Sequence, residues 1–455
     1  MAQYSVDWNN VALQAITAGL DEVPVVGGIL SHLLEAFWPE SGQDVWGEIK
    51  DQVQALINQS ISADVYSRVQ AQLGTAAQDS GMVGVLNNYL GSISPTNNNG
   101  QDPKDTWTSA NATFIGAEGV FQQSGSEVML LPLFAQFANM HLSLLRDGVQ
   151  RNWCSISELQ QRIATYISWA QQWIASGHSS RASASKGFND LNEFDRQYQL
   201  GVGNFCEVWP YFDLSKYLPP VKNIVFTNEI YYSITETMGS EYPGGNYTLA
   251  APPTTPITNV GIYWLQDTYD NYNLVLGTQV TYSSGAQAYT GVLIDNGIPP
   301  INKPFNPNDD YFRYVLNEVP VASGNPIVSV QGVYEATGGT YCTGFTFQNG
   351  ASTGQIPSQA DQDYPHNYNI TPPASYFLSS IWVPEKWSWY NAAADMVFGF
   401  QLNPVSLDAP TAKALFTSSL HGIDTKSPRF APFAGQAAAE NWEAQRQVFL
   451  QRFAS

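Results

Sequence analysis

The side chains best suited to proton or metal chemistry in this chain are five histidines, His32, His141, His178, His366 and His421, and they are scattered. None stands at ligand spacing from another histidine, a cysteine or a carboxylate, which is what a zinc site needs. No glycine-rich phosphate loop, no GxGxxG after a strand, no GxSxG elbow and no HExxH occurs. Asp309 and Asp310 are neighbouring carboxylates, but adjacent residues on a strand or loop rarely converge on one reacting bond. The expectation is a protein without metal, cofactor or enzymatic activity. Cys154, Cys206 and Cys342 are too few for a disulfide framework. Cys154 opens one predicted helix and Cys206 closes the next, so an antiparallel pair would bring them near each other. Two free thiols in a reducing cell and a disulfide formed after release both stay open.

What is left is contact chemistry. Aromatic side chains stand beside Asp, Asn and Gln in three places: Tyr269 and Tyr272 after Trp264, Tyr364 and Tyr368 around His366, and Trp387, Trp389 and Tyr390 after Trp382. Such rings suit stacking on a sugar or anchoring a protein contact, and they equally suit the filling of a β core. Tyr269, Tyr272, Tyr364, Tyr368, Trp387 and Trp389 are the candidate receptor- or glycan-binding residues.

The elements that must carry these residues change character along the chain. At 455 residues there is room for two or three domains, each with its own core. Lys and Arg number 19 against 39 Asp and Glu, a net charge of −20, which argues against nucleic acid or an anionic lipid surface as the main partner. The first residues lack a basic and then apolar secretory signal, so the chain is expected to be made and stored inside a cell.

Residues 1 to 213 read as successive helices. Ile61, Val65, Val69 and Leu73 recur at helical spacing, as do Val45, Ile49, Val53 and Leu56 before them. Ile156 to Ile174 and Phe188 to Trp209 carry two further stripes. Breaks are expected in the Asn-rich run from Pro95 to Pro103, at Gly125 and at Gly177-His178-Ser179-Ser180. Between them lies a stretch with no formally charged residue, Val128 to Leu145. As a helix it is roughly 27 Å long, near the ~30 Å hydrocarbon core of a bilayer. Leu131, Phe134, Phe137 and Leu145 are among its apolar side chains on every face, so it must be surrounded by helices or by lipid. Gln136, Asn139, His141 and Ser143 interrupt it and make it a poor permanent anchor. His141 reads either as a pH switch or as a satisfied core residue. The preceding segment is amphipathic: Trp107, Ala110, Phe114, Ala117 and Phe121 share one face, while Thr108, Asn111, Glu118 and Gln122 fall roughly opposite, with Ile115 among them.

From about Tyr211 the helical period vanishes. Short β-rich runs follow, at 223–227, 229–235, 278–283, 327–335 and 341–348, separated by Gly, Pro and Asn clusters. The tail, with Ala438, Trp442, Phe449 and Phe453 on one face, returns to helix.

Several of these segments in order resemble the N-terminal domain of the insecticidal Cry δ-endotoxins. VPVVGGILSHLLEAFWPE with WGEIKDQVQALINQSI is similar to the family's second helix. EVMLLPLFAQFANMHLSLLRDGV, Glu127 to Val149, resembles its central fifth helix. YISWAQQWIASG and FNDLNEFDRQYQLGVGNFCEVWPYFD resemble its sixth and seventh, and VKNIVFTNEI stands where the family crosses into a second domain. In the β region, Gly324 to Gly350 resembles a strand pair of jacalin-type β-prism lectins, and Gly291-Val-Leu-Ile-Asp295 has the Gly-x-x-x-Asp spacing with which such lectins hold a sugar, although it reads equally as a plain strand.

The resemblance implies a multidomain α and β protein. Residues 1–213 would be a seven-helix bundle with a central buried helix, the pore-forming domain, and residues 214–455 a β-prism-like receptor-binding domain with a C-terminal helix and no third domain. It implies a hairpin of the family's helices 4 and 5 that inserts into a bilayer. The hairpin residues would be Trp107, Asn111, Glu118, Gln122, Leu131, Phe134, Phe137, His141 and Leu145, with Glu118 on the wall of a cation-permeable pore. The implied partners are an insect gut membrane receptor, protein or glycan, and the target lipid bilayer, which the toxin would meet outside the cell that made it. A homo-oligomer is implied in the pore, and a monomer or small oligomer in solution. The alternative is a lectin or storage protein that binds glycans and never opens its bundle.

Overall fold

In a computed structural model of the chain the described residues are 61–74, 81–94, 99–184, 188–217, 226–235, 255–267, 273–291, 304–306, 309–335, 339–357, 366–373, 375–383, 393 and 395–402. They divide into two compact units, one from residues 61–183 and 197–217, the other from 188–196 and the strand-bearing residues from Phe226 onward. The sequence expectations at 24–57 and 438–453 lie outside the described residues.

The first unit is helical. α1, Ala63–Leu73, is capped by Ser62, whose hydroxyl accepts from Val65 N, and buries Val65, Val69 and Leu73. α2 is Met82–Ile93. α3, Pro103–Phe121, begins where sequence chemistry favours a start: Asp102 accepts from Lys104 N and Asp105 N, and Pro103 takes the position that needs no N–H. Gly125, with φ +81°, turns the chain between α3 and α4. α4, Glu127–Gln150, is the expected central helix, buried from Met129 to Gly148. Its Pro132 lies inside the helix and cannot donate to Val128 O, which instead accepts from the Tyr198 hydroxyl at 2.7 Å.

α5, Ile156–Ala184, runs straight through the break expected at 177–180. The Ser179 and Ser183 hydroxyls donate to Ala175 O and Ser179 O one turn back, so these residues satisfy themselves within the helix instead of ending it. α6, Phe188–Tyr198, passes into a π turn, Gln199–Gly203, and then the short α7, Asn204–Val208. The aromatic stripe expected across this region stays buried at Phe194, Tyr198, Phe205 and Trp209.

The second unit is built of antiparallel strands. β1 is Glu229–Ser233, β2 Ile257–Asp267, β3 Asn273–Tyr282, β4 Gln287–Gly291, β5 Pro304–Asn306 and β6 Asp309–Pro320. β7 is Ile327–Glu335, β8 Gly339–Phe347, β9 His366–Ile370, β10 Tyr376–Trp382 and β11 Val397–Leu402. They form three sheets, ordered β1-β11-β10, β4-β3-β2-β6-β5 and β8-β7-β9. The run at 223–227 departs from expectation: its described residues, Phe226 and Thr227, precede β1 and are not strand. Tyr263, Leu265, Leu274 and Leu276 of the middle sheet pack with Tyr341 of β8 in one buried cluster. Alternating inward positions on β2 and β3 produce it, since every second side chain of a strand faces the same way. The first residues of α6 belong to this unit: Asn192 Nδ2 and Arg196 donate to Tyr231 O at 3.0 and 2.6 Å, and the Arg196 guanidinium lies 4.3 Å from the centre of the Tyr232 ring.

Candidate membrane-insertion hairpin

α3 and α4 stand where the resemblance places the hairpin. The Trp107 indole donates to Leu144 O at 2.8 Å and lies against Gly148, where a Cβ would come within 2.4 Å of the ring. Glycine at 148 is what lets the two helices approach there. Phe114 packs on Phe137 at 5.6 Å and Phe121 stacks on Phe137 at 5.0 Å. Leu131, Phe134 and Leu145 are fully buried. Of the described helices, Glu127–Gln150 is the one long and apolar enough to cross a membrane, and a core helix of a soluble bundle meets the same test.

The polar interruptions of α4 find partners inside the bundle, save the Gln136 amide nitrogen, which is buried without one among the described residues. Asn139 donates to Gln136 Oε1 at 2.9 Å and accepts from the Trp209 indole at 2.7 Å. Ser143 donates to Asn139 O. His141 is fully buried, with Nε2 2.9 Å from Asn111 Oδ1 and Nδ1 2.7 Å from the Tyr166 hydroxyl. Asn111 Oδ1 can only accept, so Nε2 carries the proton and Tyr166 donates to Nδ1. A neutral ring satisfies both bonds, and His141 is thus the saturated core residue of the two readings the sequence leaves open.

The polar face of α3 needs a correction. Asn111 and Glu118 do not form the solvated side of the helix. Asn111 is turned to His141 on α4, and Glu118 receives the Arg162 guanidinium of α5 at 2.7 Å. Gln122 Nε2 lies 3.4 Å from Glu118 Oε1. Beyond the first turn the outward residues are Thr108, Ser109, Ala112, Ile115, Gly116 and Gly119, and Ile115 is 43% exposed. Sequence period alone separates apolar from polar, but buried partners on α4 and α5 decide which polar residues turn inward. Arg162 and Tyr166 were not among the sequence candidates. The signal for them was present, because Arg162 sits one turn before Tyr166 on the expected stripe of α5.

The candidate receptor residues fare differently. Tyr269, Tyr272, Tyr364, Trp387 and Trp389 lie outside the described residues. Tyr368 is a correction: it is buried, its ring lies over Gly332 of the paired strand β7, and its hydroxyl bonds Thr343 Oγ1 at 2.8 Å. It fills the space left by a glycine and presents no surface. Gly291 closes β4 with φ +77°, and a Cβ there would stand 2.4 Å from Leu276 O, so backbone packing accounts for this glycine; Val292 to Asp295 lie outside the described residues. Cys154, Cys206 and Cys342 are free. Burial pushes the first two thiols up to about 12 and Cys342 to about 11, which disfavours the reactive thiolate. Among the described residues no group of His, Cys, Asp and Glu could hold a metal.

Comparison with known proteins bears on the helical unit first. Residues 15–213 match the family described as delta endotoxin, N-terminal domain. Pesticidal crystal protein Cry8Ca of Bacillus thuringiensis subsp. japonensis is 28% identical over 268 residues, covering 54% of this chain and 22% of that protein. The chain spans from 18% to 34% of the length of the curated relatives it matches. In fold it is similar to the insecticidal delta-endotoxin Cry8Ea1 from Bacillus thuringiensis, with a TM-score of 0.60 at 18% identity over 88% of this chain and 74% of that one. It is also similar to PirB, with a TM-score of 0.61 at 14% identity over 87% of this chain and 94% of that one. Residues 15–213 thus match a delta endotoxin N-terminal domain, and over about half of its length the chain is similar in sequence to the pesticidal crystal proteins.

Proposed function

We propose that the protein is a pore-forming insecticidal toxin in which α3 and α4 enter the target bilayer as a hairpin and the β unit, read as prism-like, selects a gut epithelial receptor. The observation that carries this is α4 itself: a 24-residue helix of membrane-spanning length, held in the interior of a bundle whose relatives are pesticidal crystal proteins. Its surroundings satisfy it by apolar burial and by hydrogen bonds from other helices. Lipid replaces the first, and closing α3 on α4 retains part of the second.

In the hairpin Glu118 leaves Arg162 and becomes a carboxylate on the pore wall, of the kind that makes a channel cation-selective. Several copies surround one pore. Tyr269, Tyr272, Tyr364, Trp387 and Trp389, aromatics of the β region, are the proposed receptor contacts. The protein acts outside the cell that stores it. No cofactor takes part.

The test uses the whole chain on neutral liposomes loaded with a self-quenched dye, with and without prior protease treatment, and then in planar bilayers. Dye release and cation-selective channels are expected, with Glu118→Gln moving the reversal potential toward zero in a salt gradient. A chain that binds gut membranes yet releases no dye under any treatment is a lectin-like or storage protein instead.

A further inference from the structure

The contacts that join α3 to α4 differ in kind from those that join the pair to α5. Between α3 and α4 the ties described above are uncharged: the Trp107 indole on Leu144 O, the Phe114, Phe121 and Phe137 rings, and the His141 Nε2–H on Asn111. These ties need no water, and they persist if the two helices move together. α5 holds the pair by rings as well, with Phe134 and Phe137 against Tyr166 at 5.4 and 5.8 Å, but its polar grip adds an ion pair to a neutral hydrogen bond. Arg162 meets Glu118 at 2.7 Å, one turn from the Tyr166 hydroxyl that donates to His141 and lies 3.5 Å from the same Glu118 oxygen.

Position matters as much as charge. The Glu118 side chain is 17% exposed and that of Arg162 27%, so the pair sits at the rim of a buried cluster. There it is desolvated enough to be directional and wet enough to be reached by solvent. Removing one member leaves the other charge half-buried with its partner gone, which costs more than the intact pair contributes. An α3–α4 hairpin cannot separate from α5 without parting these two residues.

We infer that Arg162 is a latch: it neutralises Glu118 in the resting bundle and ties the α3–α4 pair to α5, and its release opens the way for insertion. This rests on the pore reading above. Arg162 acts on the rate at which the resting form opens. Glu118 acts on that rate as well as on the finished channel. The two roles therefore separate by measurement.

The experiment uses full-length Arg162→Gln, Arg162→Lys, Glu118→Gln and the Glu118→Gln/Arg162→Gln double variant, each shown by circular dichroism to be folded. Initial dye release from neutral phosphatidylcholine vesicles and the reversal potential in a planar bilayer are recorded. Arg162→Gln is expected to release dye roughly fivefold faster than wild type with an unchanged reversal potential. Arg162→Lys keeps the charge and is expected within about twofold of wild type. The double variant is expected to be no faster than Arg162→Gln alone, since the latch is already open. A folded Arg162→Gln protein that releases dye no faster than wild type overturns the latch. So does a changed reversal potential, which would put Arg162 on the pore wall.

If wild type itself releases no dye, the pore reading falls on its own. The latch is then judged in the soluble protein by a double-mutant cycle on equilibrium unfolding. A coupling of roughly fivefold between residues 118 and 162 keeps it, and independence of the two substitutions removes it.

Discussion

The two units bury their polar groups in opposite ways. In the helical unit Asp213 is buried, yet it accepts from Gln160 Nε2 at 3.0 Å and from the Ser215 hydroxyl and amide at 2.6 and 3.0 Å, with Lys216 at 3.5 Å. Burial alone would raise its pKa, and these bonds and the lysine outweigh it, holding the carboxyl below its ordinary range. In the β unit Asp395 is 2% exposed and is met by Ser233 Oγ at 2.6 Å, Met396 N at 2.8 Å and Thr235 N at 3.4 Å. The donors here are neutral, and the nearby titratable phenol is the buried Tyr368. Burial wins and pushes Asp395 up to about 7. Glu229, buried beside Ser379 and Tyr231, is raised for the same reason. A carboxylate with a cation and convergent donors stabilises its fold when ionised, whereas one among hydroxyls stabilises it when protonated.

The largest expected effect follows from Asp395. Its folded value lies above the 3.8 of an unperturbed aspartate. Its stabilising contribution is therefore complete below pH 4 and is lost as pH rises through about 7. Across that window the β unit is expected to lose up to roughly 4 kcal/mol through this group. Chemical denaturation followed between pH 4 and pH 8 should show the fall, and Asp395→Asn should flatten it. A β-unit transition that strengthens toward pH 8 in the wild type would remove the contrast. The helical unit carries the opposite sign at Asp213, whose contribution is present above the unfolded value and declines as pH falls through the lowered one.

The next effect sharpens the comparison on the helical side, where shape rather than charge joins the hairpin. Trp107→Phe removes the donor to Leu144 O and leaves a gap over Gly148. A loss of about 2 kcal/mol is expected, confined to the helical transition. Gly148→Ala attacks the same contact from the other helix by forcing the indole aside, and a loss of about 1 to 3 kcal/mol is expected. Combining the two should cost less than their sum, because phenylalanine leaves room for the new methyl. Full additivity in unfolding experiments would show that the ring and the glycine do not share one site.

How much of this was legible beforehand depends on range. The helix of Glu127–Gln150, the break before α3 and the strands 327–335 and 341–348 were readable because period and local turn chemistry lie within a few residues. The continuity of α5 through Gly177 was not, since serines that look like breakers satisfied themselves one turn back. Tyr368 read as a candidate binding ring because nothing near it in sequence reveals Gly332 opposite. The inward turn of Asn111 and Glu118 depends on His141 and Arg162, which stand 30 and 44 residues away. Long-range pairing of polar groups leaves no periodic trace, and that is the part of the site the sequence hid.

The smallest effect tests whether the two units respond separately at all. Asp102 caps α3 with two bonds, to Lys104 N at 2.8 Å and Asp105 N at 3.1 Å, both on the exposed end of the helix. The first-turn amides of a helix have no partner of their own, so alanine at 102 returns them to water and also removes a negative charge from the positive end of the helix. A loss of about 1 kcal/mol is expected, and it should appear wholly in the helical transition. The cap touches neither Glu118 nor Arg162, so the reversal potential of any channel should stay as in wild type. If Asp102→Ala shifts the β transition equally, the units unfold as one, and the opposite pH signs of Asp213 and Asp395 would then partly cancel instead of appearing in two separate transitions.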